Sequence, residues 1–272
     1  MRCCLPGVLL VLQLAAPAHA LVVCADPNNL PFSNRAGQGF ENKLVTLLAR
    51  DLHTSIQYVW WAQRRGFARH TLTAQGCDLW PGVASGVHGL KTSRPYYRST
   101  YVFVTRQAAG LEHLSLDDPR LRTLSIGVQL VGYEAMNTPP AQALAARGIT
   151  QNVRGFSIFG DYSRPNPPAS IIEAVARGEV EFTLVWGPLA GYFAQRASAP
   201  LRVEPVEDGG DWPMSYDIAV GVRSDEPELR DRLDAALSAE AGSIEALLRS
   251  YHIPQQISGA QHPAPGAQRA AR

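Results

Sequence analysis

The 272-residue sequence has no excess of either charge, because 25 Lys and Arg side chains are matched by 24 Asp and Glu side chains. Loss of an N-terminal leader containing Arg2 would leave a formally neutral chain. A protein that binds along a nucleic-acid backbone needs a surplus of basic side chains to neutralise phosphates. The balanced charge therefore argues against a nucleic-acid partner.

Beyond its N-terminus the sequence also lacks an apolar run of about 20 residues, the length needed to cross a bilayer. The marked run from Leu5 to Ala16 is shorter; it follows Arg2 and precedes the small residues of Ala18-His19-Ala20. These are the features of an export signal peptide. We expect residues 1–20 to be removed and the mature chain to lie in the periplasm without membrane insertion. An uncleaved membrane anchor is the alternative.

Short catalytic motifs are missing as well: there is no G-x-S-x-G, no H-E-x-x-H and no P-loop. The histidines after the leader are scattered along the chain. Acidic clusters occur at Asp117-Asp118 and within 207–211, but the second lacks the regular spacing of a calcium-binding loop. We therefore expect no enzyme activity, no metal site and no cofactor.

Cysteine is scarce, with four residues in total, and Cys3 and Cys4 belong to the expected leader. Cys24 and Cys77 remain as an even pair in an oxidising compartment, which favours one disulfide. Two buried free thiols are the alternative. No His lies at metal-ligand spacing from either cysteine, so a metal site is the weaker interpretation.

What the sequence does contain is apolar patterning typical of two α/β units and a returning C-terminal segment. The predicted strands cover residues 21–25, 55–61, 77–83, 99–106, 123–130, 180–186 and 215–223. The predicted helices cover residues 39–52, 66–76, 137–148, 167–178, 225–238 and 242–253. Alternation of strands and helices implies parallel strand pairs with right-handed crossovers. Residues 257–272 are rich in Ala, Pro, Gly and Gln, which predicts a disordered tail.

Several stretches together resemble the MxaJ/XoxJ family, the periplasmic binding-protein-like partners of quinoprotein alcohol dehydrogenases. They are "CADPNNLPFSN", "GFENK", "WWAQRRGF", "RPYYRSTYVFV", "EAVARGEVEFTLVWGPLAGYF" and "YHIP". The resemblance implies an α/β, two-lobed type 2 periplasmic binding protein fold with two hinge crossovers, near Val104–Gly110 and Pro213–Ile218. Lobe 1 would contain residues 21–105 and 217–256, and lobe 2 residues 106–216.

Type 2 receptors for amino acids hold the ligand carboxylate with an Arg some nine residues before the "PYY" motif, and the ammonium with an Asp after a strand of lobe 2. A buried zwitterion needs a counter-charge at each end. Counting back from Pro95 reaches Gly86, and the strand ending at Trp186 is followed by Gly187 and Pro188. The resemblance thus implies a receptor fold that lacks the charged residues with which amino-acid receptors bind their ligand.

By the same resemblance, an aromatic and largely uncharged cleft would be lined by Asn28, Phe32, Tyr96, Trp186 and Tyr192. Such a lining suits an apolar ligand or a protein segment. The alternative is that these aromatic side chains simply pack between the lobes.

A second candidate site is a surface for a protein partner, because Trp and Arg are enriched at protein interfaces. Its candidates come from "WWAQRRGF" and "RPYYRSTY": Trp60, Trp61, Arg64, Arg65, Phe67 and Arg98. In the alternative interpretation one Trp belongs to the core, both Arg of the first stretch are solvated, and Arg98 forms an internal salt bridge.

The resemblance implies a non-catalytic periplasmic accessory protein that assists maturation or activation of a PQQ-dependent methanol or related alcohol dehydrogenase. The cytochrome c of that system would be a further partner. The protein would hold part of the dehydrogenase while cofactor and metal are loaded, hinge motion would change its grip, and it would bind no PQQ itself. The alternative is the substrate-binding component of an ABC transporter for a small non-amino-acid solute. A dehydratase is a third hypothesis, for which the sequence offers no acid–base pair.

Overall fold

The structure is a computed structural model that describes residues 20–63, 66–72, 74, 76–130, 137–157, 163–207 and 210–255. Residues 1–19 of the expected signal peptide and the expected tail at 257–272 lie outside the described residues, as do Arg64 and Arg65. Within the described ranges, no helix combines the length and apolar character that a bilayer crossing requires.

The described chain alternates strands and helices. The strands are β1 Leu21–Ala25, β2 Asn28–Asn29, β3 Ser33–Asn34, β4 Ile56–Trp60, β5 Leu79–Ala84, β6 Lys91–Thr92, β7 Tyr97–Arg106, β8 Ile126–Leu130, β9 Val153–Ser157, β10 Phe182–Trp186, β11 Leu201–Pro205 and β12 Ser215–Val222. The helices are α1 Phe40–Asp51, α2 Phe67–His70, α3 Pro139–Ala146, α4 Ser170–Ala176, α5 Gly187–Ala194, α6 Pro227–Ala239 and α7 Ala241–Ser250. Short 3₁₀ helices cover Gln107–Ala109, Pro119–Arg122 and Pro167–Ala169.

A long sheet organises these elements, with the strand order β4-β1-β5-β12-β7-β10-β8-β9; β6 pairs with β12 and β11 with β7. Strand β1 is parallel to its neighbours β4 and β5, and strand β8 is parallel to its neighbours β10 and β9, as the strand–helix alternation predicts. The long strand β7 changes partners along its length. Residues 97–100 pair with β12, whereas residues 101–106 pair with β10 and β11. Strands β7 and β12 therefore connect two halves of the molecule.

Each half has its own hydrophobic core, and we call the half with β1, β4 and β5 the first lobe and the half with β8–β11 the second lobe. The first-lobe core packs α1, α6 and α7 against β1 and β12, with Phe40 and Leu48 fully buried. The second-lobe sheet is covered on both faces: Phe103 of β7 packs on one face and Val104 on the other. Successive side chains of a strand point to opposite faces, so β7 serves both layers. The predicted two-lobed α/β architecture is confirmed, while the residue bounds assigned to the lobes stay a prediction.

The structure adds elements that the apolar pattern does not predict, namely β9, β11 and α5. The helix predicted over 66–76 is short, with α2 covering Phe67–His70. Thr138 occupies the N-cap of α3, but its hydroxyl makes no capping hydrogen bond and instead donates to the carbonyl oxygen of Gln129 at 2.9 Å. A competing tertiary acceptor thus takes the hydroxyl away from the helix end.

The predicted disulfide joins Cys24 of β1 to Cys77, and their Cα atoms are 5.6 Å apart. Both residues are buried in a small cluster with Phe67 and Leu72. The bond closes a separation of 53 residues that includes α1 and β4. It therefore fixes the segment before β5 to the first strand of the sheet.

Replacing both bridge residues in a Cys24→Ala, Cys77→Ala variant should lower the free energy of unfolding by about 4 kcal/mol, because the closed loop limits the entropy of the unfolded chain. Urea denaturation followed by tryptophan fluorescence measures this loss. Alkylation of the wild type with and without reductant, read by mass spectrometry, serves as the control for bond formation. An unchanged unfolding midpoint would contradict a stabilising role for the bridge.

Candidate functional site

A cleft of about 330 Å³ lies between the two lobes. Its aromatic lining consists of Phe32, Tyr101, Trp186 and Tyr216, and its polar lining of Asn29, Gln63, Gln129 and Thr138. The rings are packed edge to face: the ring centroid of Trp186 lies 5.2 Å from that of Tyr101 and 6.0 Å from that of Tyr216. Such pairs hold aromatic side chains in defined orientations. The cleft is thus a rigid aromatic space with polar groups placed around it.

The cleft lining carries no Asp, Glu, Lys or Arg among the described residues. Burial raises the pKa of the Tyr101 hydroxyl, and the neighbouring Tyr216 raises it further. Burial also raises the pKa of Tyr216. Both phenols therefore stay neutral at physiological pH, and the described lining offers hydrogen bonds but no counter-charge for a zwitterion.

Asn29 presents an incompletely bonded amide to this cleft. Its side chain is 7% exposed, and its Nδ2 donates to Oε1 of Gln63 at 2.8 Å. The Oδ1 atom is buried and has no hydrogen-bond partner among the described residues. A buried amide oxygen without a partner is costly, so this atom is a local destabilising feature beside the cleft.

Beneath the cleft the first turn of α1 buries a carboxyl group, Glu41, which is 4% exposed. Burial raises the pKa of Glu41 well above its ordinary value, and the nearby Asp26 carboxyl raises it further. Gly82, a lining residue of the cleft, has φ +80, and a Cβ atom there would lie 2.0 Å from Oε1 of Glu41. Glycine at this position therefore makes room for the carboxyl.

Asn28 connects the two lobes through both ends of its side-chain amide. Its Nδ2 donates to the carbonyl oxygen of Arg164 at 2.8 Å, and the backbone N–H of Asn166 donates to its Oδ1 at 3.1 Å. The turn that presents it is fixed by Asp26, whose carboxylate accepts from the backbone N–H of Asn28 at 2.8 Å and from that of Gln63 at 2.6 Å. A side chain predicted to contact a ligand thus forms a bond between lobes.

Leu30 reinforces this connection with an apolar contact. It follows β2 in the first lobe, yet it is buried in the second-lobe cluster that contains Val102, Val104 and Ile171. The N-terminal loop therefore inserts a side chain into the core of the opposite lobe. Together, the hydrogen bonds of Asn28 and the burial of Leu30 hold the lobes in contact.

The end of the chain makes a second connection, between Tyr251 and Tyr192 of α5. Their rings stack at 5.7 Å with an interplanar angle of 18°. A Cβ atom at Gly191 would lie 1.9 Å from the carbonyl oxygen of His252, so this close approach requires glycine. The hydroxyl of Ser99 also donates to the carbonyl oxygen of Pro254 at 2.8 Å. The "YHIP" segment is thereby fastened against the "GPLAGYF" helix.

Of the five predicted cleft residues, Phe32 and Trp186 line the cleft. Asn28 lies at its outer rim, in the interlobe contact. Tyr96 packs against Tyr97 at 5.0 Å, and Tyr192 packs against Tyr251 and Phe193. The structure thus brings two of the five together around the cavity and places Tyr96 and Tyr192 in aromatic packing.

A larger groove of about 650 Å³ opens at the outer edge of the cleft, and we call it the rim groove. One wall consists of Pro27, Asn28, Arg35 and residues 60–62, and the other of residues 163–165. Trp60 and Trp61, predicted as partner contacts, both line it. Trp60 stacks on Tyr58 at 4.6 Å, and Trp61 stacks on His70 at 5.2 Å.

The other predicted partner contacts lie elsewhere. Phe67 is 3% exposed and belongs to the cluster around the disulfide, with its ring 4.7 Å from Trp80. Arg98 pairs with Asp217 at 2.9 Å across the β7–β12 contact. Arg64 and Arg65 are not among the described residues.

In the described part of the chain, no group of three or more His, Cys, Asp or Glu side chains is placed to hold a metal ion.

Sequence reasoning did not single out Asn29, Tyr101, Gln129 or Tyr216 as cleft residues. Tyr101 and Tyr216 carry a local signal, because each is an aromatic residue at the point where a predicted strand crosses between lobes. Asn29 and Gln129 carry no such signal. Their role depends on the pairing of distant segments.

The fold and the interlobe cleft define a protein of the periplasmic binding protein class. No family model matches the chain. An ancestral cationic amino acid solute-binding protein shares the fold, with a TM-score of 0.65 at 18% identity, over 86% of this chain and 95% of that one.

More specific similarity comes from two relatives described as "Protein MoxJ". The relative from Methylorubrum extorquens is 32% identical over 248 residues, which covers 87% of this chain and 82% of the relative. The relative from Paracoccus denitrificans is 30% identical over 261 residues, covering 89% of this chain and 93% of the relative.

Two solved structures agree with these relatives. Periplasmic binding protein XoxJ from Methylobacterium extorquens AM1 has a TM-score of 0.71 and 32% identity, covering 88% of this chain and all of that one. MxaJ from Methlophaga aminisulfidivorans MPT has a TM-score of 0.77 and 26% identity, covering 87% of this chain and all of that one. The chain belongs to the MoxJ family and is similar to the solved structures of XoxJ and MxaJ, so the resemblance stated from the sequence is confirmed.

A Glu41→Gln variant should be more stable than the wild type at neutral pH. Folded Glu41 keeps its proton above the ordinary glutamate pKa of 4.5, whereas the unfolded chain releases it there. The folded state therefore binds more protons above that pH, and the stability contributed by this group falls as pH rises. Urea unfolding between about pH 5 and pH 8 should show a weaker decline for the variant.

Glu228→Gln, at an exposed residue in the first turn of α6, is the matched control and should leave the pH profile unchanged. If Glu41→Gln and the wild type share one pH profile, the raised pKa of Glu41 is disproved.

A Leu30→Ala variant should lower the free energy of unfolding by about 2–5 kcal/mol, as expected for a buried leucine. It should also increase the radius of gyration in small-angle X-ray scattering, because the apolar contact between lobes is lost. Leu48→Ala, a fully buried leucine within the first-lobe core, is the control: it should cost stability without expanding the molecule. Identical scattering from Leu30→Ala and the control would refute the interlobe role.

Proposed function

We propose that this chain is a non-catalytic periplasmic accessory protein that assists maturation or activation of a PQQ-dependent methanol or related alcohol dehydrogenase. One observation carries the proposal. This chain, a member of the MoxJ family, has a receptor-type cleft whose described lining contains no charged side chain. A cleft without counter-charges does not suit an amino acid, which leaves a protein segment as the favoured occupant.

In the proposed mechanism, the protein holds part of the dehydrogenase in place. The aromatic cleft and the surface formed by exposed Trp61 and half-buried Trp60 bind part of the dehydrogenase while its cofactor and metal are loaded. The interlobe contacts of Asn28 and Leu30 support this mechanism, because they present both surfaces with little reorganisation on binding. The accessory protein binds no PQQ itself, and the cytochrome c of the same system is a further partner.

A second candidate function is the solute-binding component of an ABC transporter. The observation that favours it is a cavity of about 330 Å³ whose lining combines aromatic rings with the side-chain amides of Asn29, Gln63 and Gln129. That volume lies within the range of small-molecule sites, and a polar atom among aromatic rings suits a small neutral solute.

Calorimetry of the mature chain against the apo form of the dehydrogenase from the same organism tests the first proposal, which expects binding. A thermal-shift screen of amino acids and small aromatic compounds tests the second, because a ligand that binds only the folded state raises the melting temperature. Dehydrogenase binding with no shift in the screen supports the accessory role. A strong small-molecule shift without dehydrogenase binding overturns it in favour of a transport receptor.

A variant with several substitutions tests whether these two surfaces bind the dehydrogenase. Replacing Trp60, Trp61, Arg64 and Arg65, together with the cleft aromatics Phe32 and Trp186, should abolish activation of the dehydrogenase in a reconstituted assay. Circular dichroism checks that the variant is folded. Full activation by a folded variant would exclude the holding mechanism.

A further inference from the structure

We propose that the rim groove is a docking site for an acidic, apolar-containing segment of the partner protein. The inference deepens the proposed function, and it rests on that function where the partner is taken to be the dehydrogenase. The groove lies outside the aromatic cleft and opens at its edge, between residues 60–62 of the first lobe and residues 163–165 of the second.

The charge of the groove favours an acidic occupant. Arg35 and Arg164 line it and are exposed, and no Asp or Glu is among its described lining residues. Neither arginine forms an ion pair with a described carboxylate. The nearby Asp26 is 3% exposed and its oxygens accept backbone N–H groups, so it does not face the groove as a free anion. Arginine in such a position is suited to bidentate contact with carboxylates.

Aromatic rings give the groove its apolar surface. Trp61 is 39% exposed, and Val87 is the other large hydrophobic side chain exposed to this degree in the described ranges. The guanidinium of Arg35 lies 5.6 Å from the ring of Trp60, which places positive charge directly over an aromatic face. Tryptophan and arginine are the residue types that contribute most often to binding hot spots. The groove therefore offers apolar and cationic contacts together.

The rings are held in place before any partner arrives. Trp60 stacks on Tyr58 and Trp61 on His70, with interplanar angles of 18° and 20°. On the opposite wall, the carbonyl oxygen of Arg164 accepts from Asn28, which ties that wall to the first lobe. Preorganisation reduces the entropy lost on binding. With about 650 Å³ open at the surface, the groove has room for a short extended peptide.

Fluorescence anisotropy with two labelled peptides tests the proposal: a short peptide of alternating Asp and Leu, and its counterpart of alternating Lys and Leu. The acidic peptide should bind, and the basic one should not. Binding should weaken as salt rises, because exposed charges are screened. Trp61→Ala and Arg35→Gln should each weaken the acidic peptide about tenfold, as hot-spot losses do.

Two variants on other surfaces are matched controls. Val87→Ala removes an exposed apolar side chain, and Arg249→Gln removes an exposed arginine on α7. Neither should change peptide affinity. Equal binding of the two peptides, or unchanged affinity of the acidic peptide for Trp61→Ala and Arg35→Gln, would overturn the proposal.

The same variants with the apo dehydrogenase separate this inference from the proposed function. Loss of affinity for Trp61→Ala and Arg35→Gln, with both controls unchanged, supports the two together. Dehydrogenase binding that is indifferent to these variants overturns the groove and leaves the accessory role intact. Groove-dependent binding of the acidic peptide without dehydrogenase binding overturns the accessory role and retains the groove for another acidic partner. Wild-type dimerisation that Trp61→Ala abolishes, seen by light scattering, would assign the groove to a second copy and overturn the proposal.

Discussion

The contact of residues 28–30 with the second lobe is the interaction on which the geometry of the cleft and of the rim groove depends. Leu30 is buried among side chains of the opposite core, and Asn28 supplies a donor and an acceptor to the facing backbone. A free cleft between two lobes is ordinarily open to hinge motion. Here an apolar anchor and two hydrogen bonds oppose separation, so the cleft and the rim groove each keep two walls in the absence of a partner.

The distribution of charge is the second constraint. Two carboxyl groups close to cleft residues, Asp26 and Glu41, are buried: the first accepts backbone N–H groups, and the second is shifted towards its neutral form. Exposed cationic groups lie outside, at Arg35 and Arg164. The cleft and its edge thus combine a neutral aromatic interior with a cationic rim. This arrangement differs from the paired counter-charges that capture a zwitterion.

The sequence predicts the parts of this structure that depend on local patterning. Apolar runs such as Leu21–Ala25 and Phe182–Trp186 indicate buried strands wherever they occur, and the even cysteine pair indicates a bridge. The short strand β11 and helix α5, which opens with Gly187-Pro188, give weak local signals and form because β7 and the chain end pack against them.

The predicted residues that do line a cavity are aromatic: Phe32 and Trp186 in the cleft, and Trp60 and Trp61 in the rim groove. Asn28 is typical of a turn, and its partners lie 136 and 138 residues away in sequence. Glu41 occupies a first helical turn, where acidic residues are usually solvated, and its burial is decided by the packing of Gly82 above it. Contacts between residues so far apart in the sequence produce no periodic pattern from which they could be predicted.

The discontinuous first lobe has a consequence for the order of folding. Its core needs Val23 and Phe40 from the start of the chain together with Leu248 and Ile253 from near its end. The second lobe draws its strands from one continuous stretch between them, β7 to β11. A domain built from contiguous sequence can form first, whereas contacts between distant segments form slowly because a long loop must close. During synthesis the first-lobe core therefore remains incomplete until β12, α6 and α7 have been made. Until then the apolar side chains that α1 contributes to the first-lobe core lack the two helices that cover them.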